Sequence, residues 1–337
     1  MPTMTCAAVW SRRGRALFPG LLACGVVAAA ASFLSQHYGA SAMLLALLLG
    51  MAMNFLATEG PCAPGIEFTA RKLSRVGIAL LGLQITLDQI VGLGWPPVLL
   101  ALVAIVATIT VSILAARALG FTHLFGLLSG GATAICGGSA ALALAAALPS
   151  HPQKERALMF TIVGISVLSA LAMVVYPMLA KAIGLDARLA GTFLGASIHD
   201  VAQVVGAGYG MSKETGDVAT LVKLARVAML MPVILLTVLL TRPRGAAAQG
   251  QRPPLLPGFI VAFVVLVAVN SSSLLPHAFA EFGGNLSRAC LVAAIAASGM
   301  KTQWREIVQV GLKPVVLMVG ETIFLAALVL AMVRWGA

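Results

Sequence analysis

The chain reads as an all-α polytopic membrane protein of about ten to eleven transmembrane helices, several of them discontinuous, with an inverted repeat. Of its 337 residues 60% are hydrophobic and only 10% charged, far below the roughly 25% charged of an ordinary soluble domain. Apolar stretches long enough to cross a bilayer recur along its whole length. Two of them are interrupted by glycine-rich polar segments, SGGATAICGGSA (129–140) and GASIHDVAQVVGAG (195–208). An interrupted helix at membrane depth survives only where protein or a water-filled cavity satisfies the freed backbone groups. The combination points to a membrane-embedded transporter rather than an enzyme.

Windows of about 20 residues place spans near 18–35, 38–57, 73–88, 94–118, 123–148, 157–180, 188–209, 218–240, 257–275, 286–300 and 307–332. The third, seventh and tenth are short or partly polar, as expected of a tilted helix, a half-helix or a re-entrant piece. Arg12, Arg13 and Arg15 before Phe18 imitate a signal peptide, but further apolar segments follow, so this stretch is expected to remain as the first span. With the N-terminus in the cytoplasm, fourteen basic residues fall on the cytoplasmic side and five outside, the bias of the positive-inside rule. The net charge of +11 is thus read as membrane topology, with no nucleic-acid footprint. Trp10, Trp95, Trp304 and Trp335 fall near predicted membrane edges, as interfacial anchors should.

Residues 241–256, basic and rich in proline and glycine, read as a flexible cytoplasmic loop. No second soluble domain fits elsewhere, so residues 1–337 are expected to form one transmembrane domain. Segments 73–118 and 286–332 echo one another through LSR, small apolar residues, Thr86 or Thr302, and then Pro97 or Pro314. They lie an odd number of spans apart, which makes them an inverted pair. A looser echo links 131–140 with 195–204. The span count makes these two parallel, so either composition alone explains the echo or one span is re-entrant.

The first interruption sets Ser129, Thr133, Cys136 and Ser139 among Gly130, Gly131, Gly137 and Gly138. A helix break there exposes backbone N–H groups at the start of a second half-helix, which with hydroxyls make an anion site; close packing of small residues is the alternative. His199 and Asp200 are adjacent ionisable residues in an apolar span, with Gln203 one turn on. Such residues mark a pathway or a proton relay, and histidine titrates in the right range. Otherwise His199 is wet near an interface and Asp200 caps a helix. On a helix the two side chains would point about 100° apart. Lys223 and Arg226, three apart, share a face. They are expected to neutralise Asp200, snorkel, or lend positive potential to an anion vestibule. Gln84 and Thr86 are weaker candidates for the substrate or ion site, and Glu321 is expected to pair with a basic residue and hold the bundle.

Five cysteines lack ligand spacing, so neither a disulfide framework nor a metal site is read. The chain carries no Walker lysine motif, no HExxH and no GxSxG, so neither its own ATPase nor a hydrolase is expected, and no cofactor.

GIALLGLQITL (77–87), GGATAICGGSA (130–140), FLGASIHDVAQVVGAG (193–208) and ATLVKLARV (219–227) together resemble the YeiH-like, or UPF0324, family of bacterial inner-membrane proteins, which carries the label of sulfate exporters. The likeness covers nearly the whole chain. The family more often has glutamate after the signature histidine, where this chain has Asp200. The resemblance implies an inverted-repeat carrier of the broad group holding cation/proton antiporters and bile-acid symporters, with unwound helices at the transport site. Its expected partners are a small anion, H+ or Na+ as coupling ion, the lipid bilayer and a second copy of the chain.

Overall fold

The computed structural model describes residues 6–58, 60–148, 154–241, 258–272, 276–302 and 311–335, with the backbone alone at 6–13, 240–241 and 277. Among them the structure is all helical. Five helices are long and apolar enough to cross a bilayer, over Gly14–Tyr38, Pro96–Ala118, Lys154–Ala182, Lys213–Leu239 and Leu312–Trp335. Helices occupy the other six predicted stretches as well, five of them in shorter pieces and the tenth within the 24-residue helix His277–Met300. The chain divides into two compact units, residues 1–87 with 262–303 and residues 88–261 with 304–337.

The first unit holds α1 (Cys6–Tyr38), α2 (Ala42–Ala52), α3 (Phe55–Thr58), α4 (Ala63–Phe68), a π-helical turn (Thr69–Leu73) and α5 (Ser74–Leu81). The helix predicted to begin at 73 starts at Ala63 instead. Glu67, Arg71, Lys72 and Arg75 depress the hydropathy of its first turns, and Glu67 pairs with Arg71 and Lys301. After Leu81 the chain unwinds through 82–86. Side chains serve the exposed backbone there: Asn270 Nδ2 donates to the Ile85 carbonyl at 3.1 Å and Ser271 Oγ accepts from Leu87 N at 2.8 Å.

The second unit begins with α6 (Leu87–Leu93), α7 (Pro96–Ala118), α8 (His123–Ala134), α9 (Gly138–Ala147) and α10 (Lys154–Ala182). It continues with α11 (Ala187–Ser197), α12 (Val201–Met211), α13 (Lys213–Ala228) and α14 (Leu230–Thr241). Next, α15 (Gly258–Ser271) leads into the first unit, where α16 (His277–Met300) packs on α2 and α5. The last helix, α17 (Leu312–Trp335), returns to the second unit and packs against α7, α8, α10 and α11. The tenth predicted span, set at 286–300, begins nine residues earlier at His277, because Glu281, Asn285 and Arg288 interrupt its apolar run. Pro97 and Pro314 of the repeat-related segments both lie in the first turn of a long helix, where proline's missing N–H costs nothing. Most of the predicted 241–256 loop, and Trp304, lie outside the described residues.

Both glycine-rich interruptions are breaks between half-helices. The chain leaves helix at 135–137 between α8 and α9, and at 198–200 between α11 and α12. Around them backbones approach closely. Gly191 and Gly195, four apart on α11, lie against Thr215, Val218, Ala219 and Val222 of α13, a small-xxx-small contact of the kind that drives helix association in lipid. A Cβ at either glycine would meet α13 backbone oxygen.

Gly191→Leu is therefore expected to lower stability by about 1–3 kcal/mol, the usual cost of overpacking. Gly25→Leu on α1, where nothing lies within 4 Å, should change it little. Thermal unfolding of the two variants in detergent, side by side, checks this.

Candidate functional site

A broken helix leaves its last carbonyls without intrahelical partners, and in α8 each of them is accounted for. Ile135 N returns to Gly131 O at 3.1 Å and Gly137 N to Ala132 O at 2.8 Å. Beyond these the partners are side chains. The Thr133 carbonyl faces His199 Nδ1 at 3.1 Å and Arg226 Nη2 at 3.3 Å. The Ala134 carbonyl accepts from Arg226 Nε at 2.9 Å and from Nη2. The Ile135 carbonyl accepts from Lys223 Nζ at 2.8 Å, and the Cys136 carbonyl from Ser139 Oγ at 3.1 Å. Gly137 makes the turn with φ +66°, a conformation a side chain rarely adopts.

The second break is held by the same two residues. Lys223 Nζ also donates to the Ile198 carbonyl at 2.8 Å, and Arg226 Nη1 donates to Gly195 O at 3.2 Å and to Ile198 O at 3.5 Å. Ser169 Oγ of α10 accepts from Asp200 N at 3.0 Å. Lys223 and Arg226 are both 0% exposed. Their bonds go to the C-terminal carbonyls of two half-helices, not to the Asp200 carboxylate, and neither side chain snorkels. That supplies a physical reason for two buried cations: each half-helix C-terminus carries roughly half a negative charge.

The half-helices that start inside the breaks differ. Asp200 caps α12, its Oδ1 accepting from Ala202 N at 2.9 Å and Gln203 N at 3.4 Å. No side chain caps α9. Its opening residues are accessible, Gly138 half-buried and Ser139 exposed, although the flanking Cys136 and Ala140 are buried. His199 and Asp200 sit in the non-helical break between α11 and α12 rather than on a helix, so the expected 100° divergence does not apply. His199 is fully buried, its Nε2 3.1 Å from Thr322 Oγ1 of α17. Gln203 is buried, and among the described residues its Oε1 has no hydrogen-bond partner.

Among the described residues Glu321 pairs with no basic residue, contrary to expectation. Its carboxyl lies against the hydroxyls of Ser112 (2.5 Å), Ser129 (2.8 Å) and Thr133 (2.9 Å). Of the twelve residues singled out from the sequence, Thr133, Cys136, Gly137, Gly138, Ser139, His199, Asp200, Gln203, Lys223 and Arg226 lie at or beside the two breaks of the second unit. Gln84 and Thr86 belong to the first unit, where Gln84 Nε2 donates to Ala280 O at 2.8 Å. Sequence reasoning passed over Ser112, Ser169 and Thr322, hydroxyls indistinguishable by composition from the many that bond only their own helix.

With Lys223 and Arg226 charged and Asp200 ionised, two half-helix C-termini and two N-termini of about half a charge each cancel. The balance at the breaks is then close to one positive charge when Glu321 and His199 are neutral. The field at the start of α9, which carries no side-chain cap among the described residues, is therefore net positive.

Removing either cation strands carbonyls that water cannot reach, at about 1–3 kcal/mol per orphaned group. Lys223→Met and Arg226→Met are each expected to lower the unfolding temperature in detergent. Arg226→Lys should recover only part of the loss, since an ammonium lacks the planar fork.

The family model described as "Conserved hypothetical protein 698" matches residues 19–318. The chain is 52% identical to a UPF0324 membrane protein of Rhizobium meliloti, over 93% of this chain and 91% of that one. It is also 52% identical to the UPF0324 membrane protein TauZ of Paracoccus denitrificans, over 93% and 94%. A UPF0324 membrane protein of Chlorobaculum tepidum is 49% identical over 94% and 89%. No solved structure matches the chain. With helices long and apolar enough to cross a bilayer several times and this identity over nearly its full length, the chain is a multi-pass bacterial membrane protein and belongs to the UPF0324 family.

Proposed function

We propose that this protein is a secondary active transporter of a small anion, sulfate or a related oxyanion or sulfonate, coupled to protons and working by alternating access. The observation that carries the reading is the pair of broken helices held by Lys223 and Arg226, with the uncapped, accessible start of α9 beside them. Broken helices whose termini face an ion are the usual construction of a carrier's binding site. In this reading the anion lies against the backbone N–H groups around Gly138 and Ser139, near Cys136, Gly137 and Thr133. Lys223 and Arg226 stay engaged with carbonyls and act through their field.

His199, Asp200 and Gln203 then form the coupling side of the site, where the negative charge of Asp200 holds the balance low enough that an anion needs a proton to enter. The N-terminus is taken as cytoplasmic from the distribution of basic residues. The group of cation/proton antiporters and bile-acid symporters remains the architectural parallel, with 73–118 and 286–332 as the repeat-related segments of one transport domain and a homodimer as the assembly. One observation favours sodium as the coupling ion instead. The buried Gln203 Oε1 is an acceptor without a donor among the described residues, which a cation would satisfy.

Purified protein in proteoliposomes with an imposed pH gradient is expected to show saturable sulfate flux. Asp200→Asn should fold normally, since asparagine caps helices as well as aspartate does, and should carry anion without responding to the gradient. Flux driven by a sodium gradient alone would favour the second reading. Flux that never saturates would mark a channel, and no flux of sulfate, sulfonates or organic anions would overturn the transporter.

A further inference from the structure

Glu321 is 2% exposed, near the middle of α17, and the site described above leaves it unused. Among the described residues no ion pair reaches it. The ionisable groups around this network are His199 and Asp200 in the second break, Cys136 in the first, and Lys223 and Arg226 on α13. On α7, α8, α10 and α11, which pack against α17, charged residues lie only in the end turns, and Tyr176 of α10 packs on Phe193.

The hydrogens around Glu321 can be counted. Oε2 accepts from Ser129 and Thr133, each of which has that oxygen as its acceptor. Oε1 lies 2.5 Å from Ser112 Oγ, which lies 2.7 Å from the Gly126 carbonyl. A hydroxyl has one hydrogen. With Glu321 ionised, one of those two short contacts sets lone pair against lone pair. A proton on Oε1 removes the conflict, because Oε1–H then donates to Ser112 and Ser112 donates to Gly126.

His199 presents the same problem. Its Nδ1 must donate to the Thr133 carbonyl, and Nε2 is 3.1 Å from Thr322 Oγ1, itself 2.8 Å from the Met318 carbonyl. A neutral ring takes the threonine hydrogen and leaves the Thr322 hydroxyl a lone pair against the Met318 carbonyl, which the helix's own Thr322 N–H still serves, whereas an imidazolium donates to Thr322 and lets its hydroxyl donate to Met318. The two sites are joined twice. Thr133 touches Glu321 through its hydroxyl and His199 through its carbonyl, and Glu321 and Thr322 are neighbours in sequence.

We propose that Glu321 binds the proton that travels with the anion, and that His199 is that proton's second position. The proposal rests on the anion-carrier reading above and deepens it. The proton comes from water and binds Oε1; no other covalent bond changes. With Glu321 neutral the balance at the breaks is near one positive charge, and with Glu321 ionised it is near zero. Anion and proton therefore strengthen each other's binding, by the reciprocity of linkage, and load from the same side.

Infrared spectroscopy of the full chain in lipid tests the first part. The wild type is expected to show a protonated-carboxyl C=O band that vanishes in Glu321→Gln. In Ser112→Ala, which keeps the carboxyl but removes one hydrogen-bond partner, the band should move to higher frequency. Proton release or uptake on adding sulfate tests the second part: the wild type takes up protons, and Glu321→Gln binds sulfate with pH-independent affinity and takes up none. A band unchanged in both folded variants overturns the assignment. So does a carboxylate signal that responds to sodium with no protonated band, which marks a cation site instead, or gradient-driven flux retained by Glu321→Gln. A band that behaves as expected in a wild type that moves no anion sinks the carrier reading and the linkage, but not the protonated carboxyl.

Discussion

Two cations with no acceptor of their own meet two helix ends with no donor of theirs. That match is the constraint on which the second unit is built. A polypeptide inside a bilayer cannot leave carbonyls unpaired, and the α8 and α11 ends would leave several. Lys223 and Arg226 supply charge-assisted donors to Thr133, Ala134, Ile135, Gly195 and Ile198. Either half alone would be expensive: unpaired cations without their hydration, or carbonyls without hydrogen bonds. The close α11–α13 approach at Gly191 and Gly195 brings the bases within reach, so the small-residue packing and the polar core are two parts of one construction.

Much of this was legible in the sequence, and the parts that were not share a cause. Apolar windows located a helix at every predicted span, because length and hydropathy are one-dimensional properties. The breaks were legible too, since the glycines and hydroxyls of 129–140 and the polar His199–Asp200 pair have no place in a continuous lipid-facing helix. The partners of Lys223 and Arg226 were not legible. Sequence reasoning offered the bases Asp200, the membrane interface or an anion vestibule, but a backbone carbonyl has no letter of its own. Reading α8 and α11 as helices that end at mid-span, and asking where their last carbonyls go, would have found the answer.

Glu321 and its hydroxyls were hidden differently. Ser112 lies in TITVSILAA, where a serine most often bonds the carbonyl one turn back. Thr110 does so to Val106 and Ser166 to Ile162 in this protein. Nothing in the local sequence separates Ser112, which bonds across to Gly126 and Glu321, from these. The i, i+4 spacing of Ser129 and Thr133 on α8 was visible, but not the acid facing it from a helix nearly two hundred residues later.

The chemistry of the two layers differs in a way that suits a carrier. Lys and Arg only donate, so the grip of α13 on the breaks has one hydrogen pattern and is rigid. The layer formed by Ser112, Thr133, Thr322, His199 and Glu321 is amphoteric: hydroxyls and imidazole donate or accept as required. A proton can then be added or moved by rotating hydroxyls, with heavy atoms in place and no backbone bond broken. The charge of the site changes while the scaffold that shapes it does not. A fixed frame with a variable charge is what linkage between an anion and a proton requires. Exchanging the roles, with a titrating base on the carbonyls, would couple every protonation step to the stability of the broken helices.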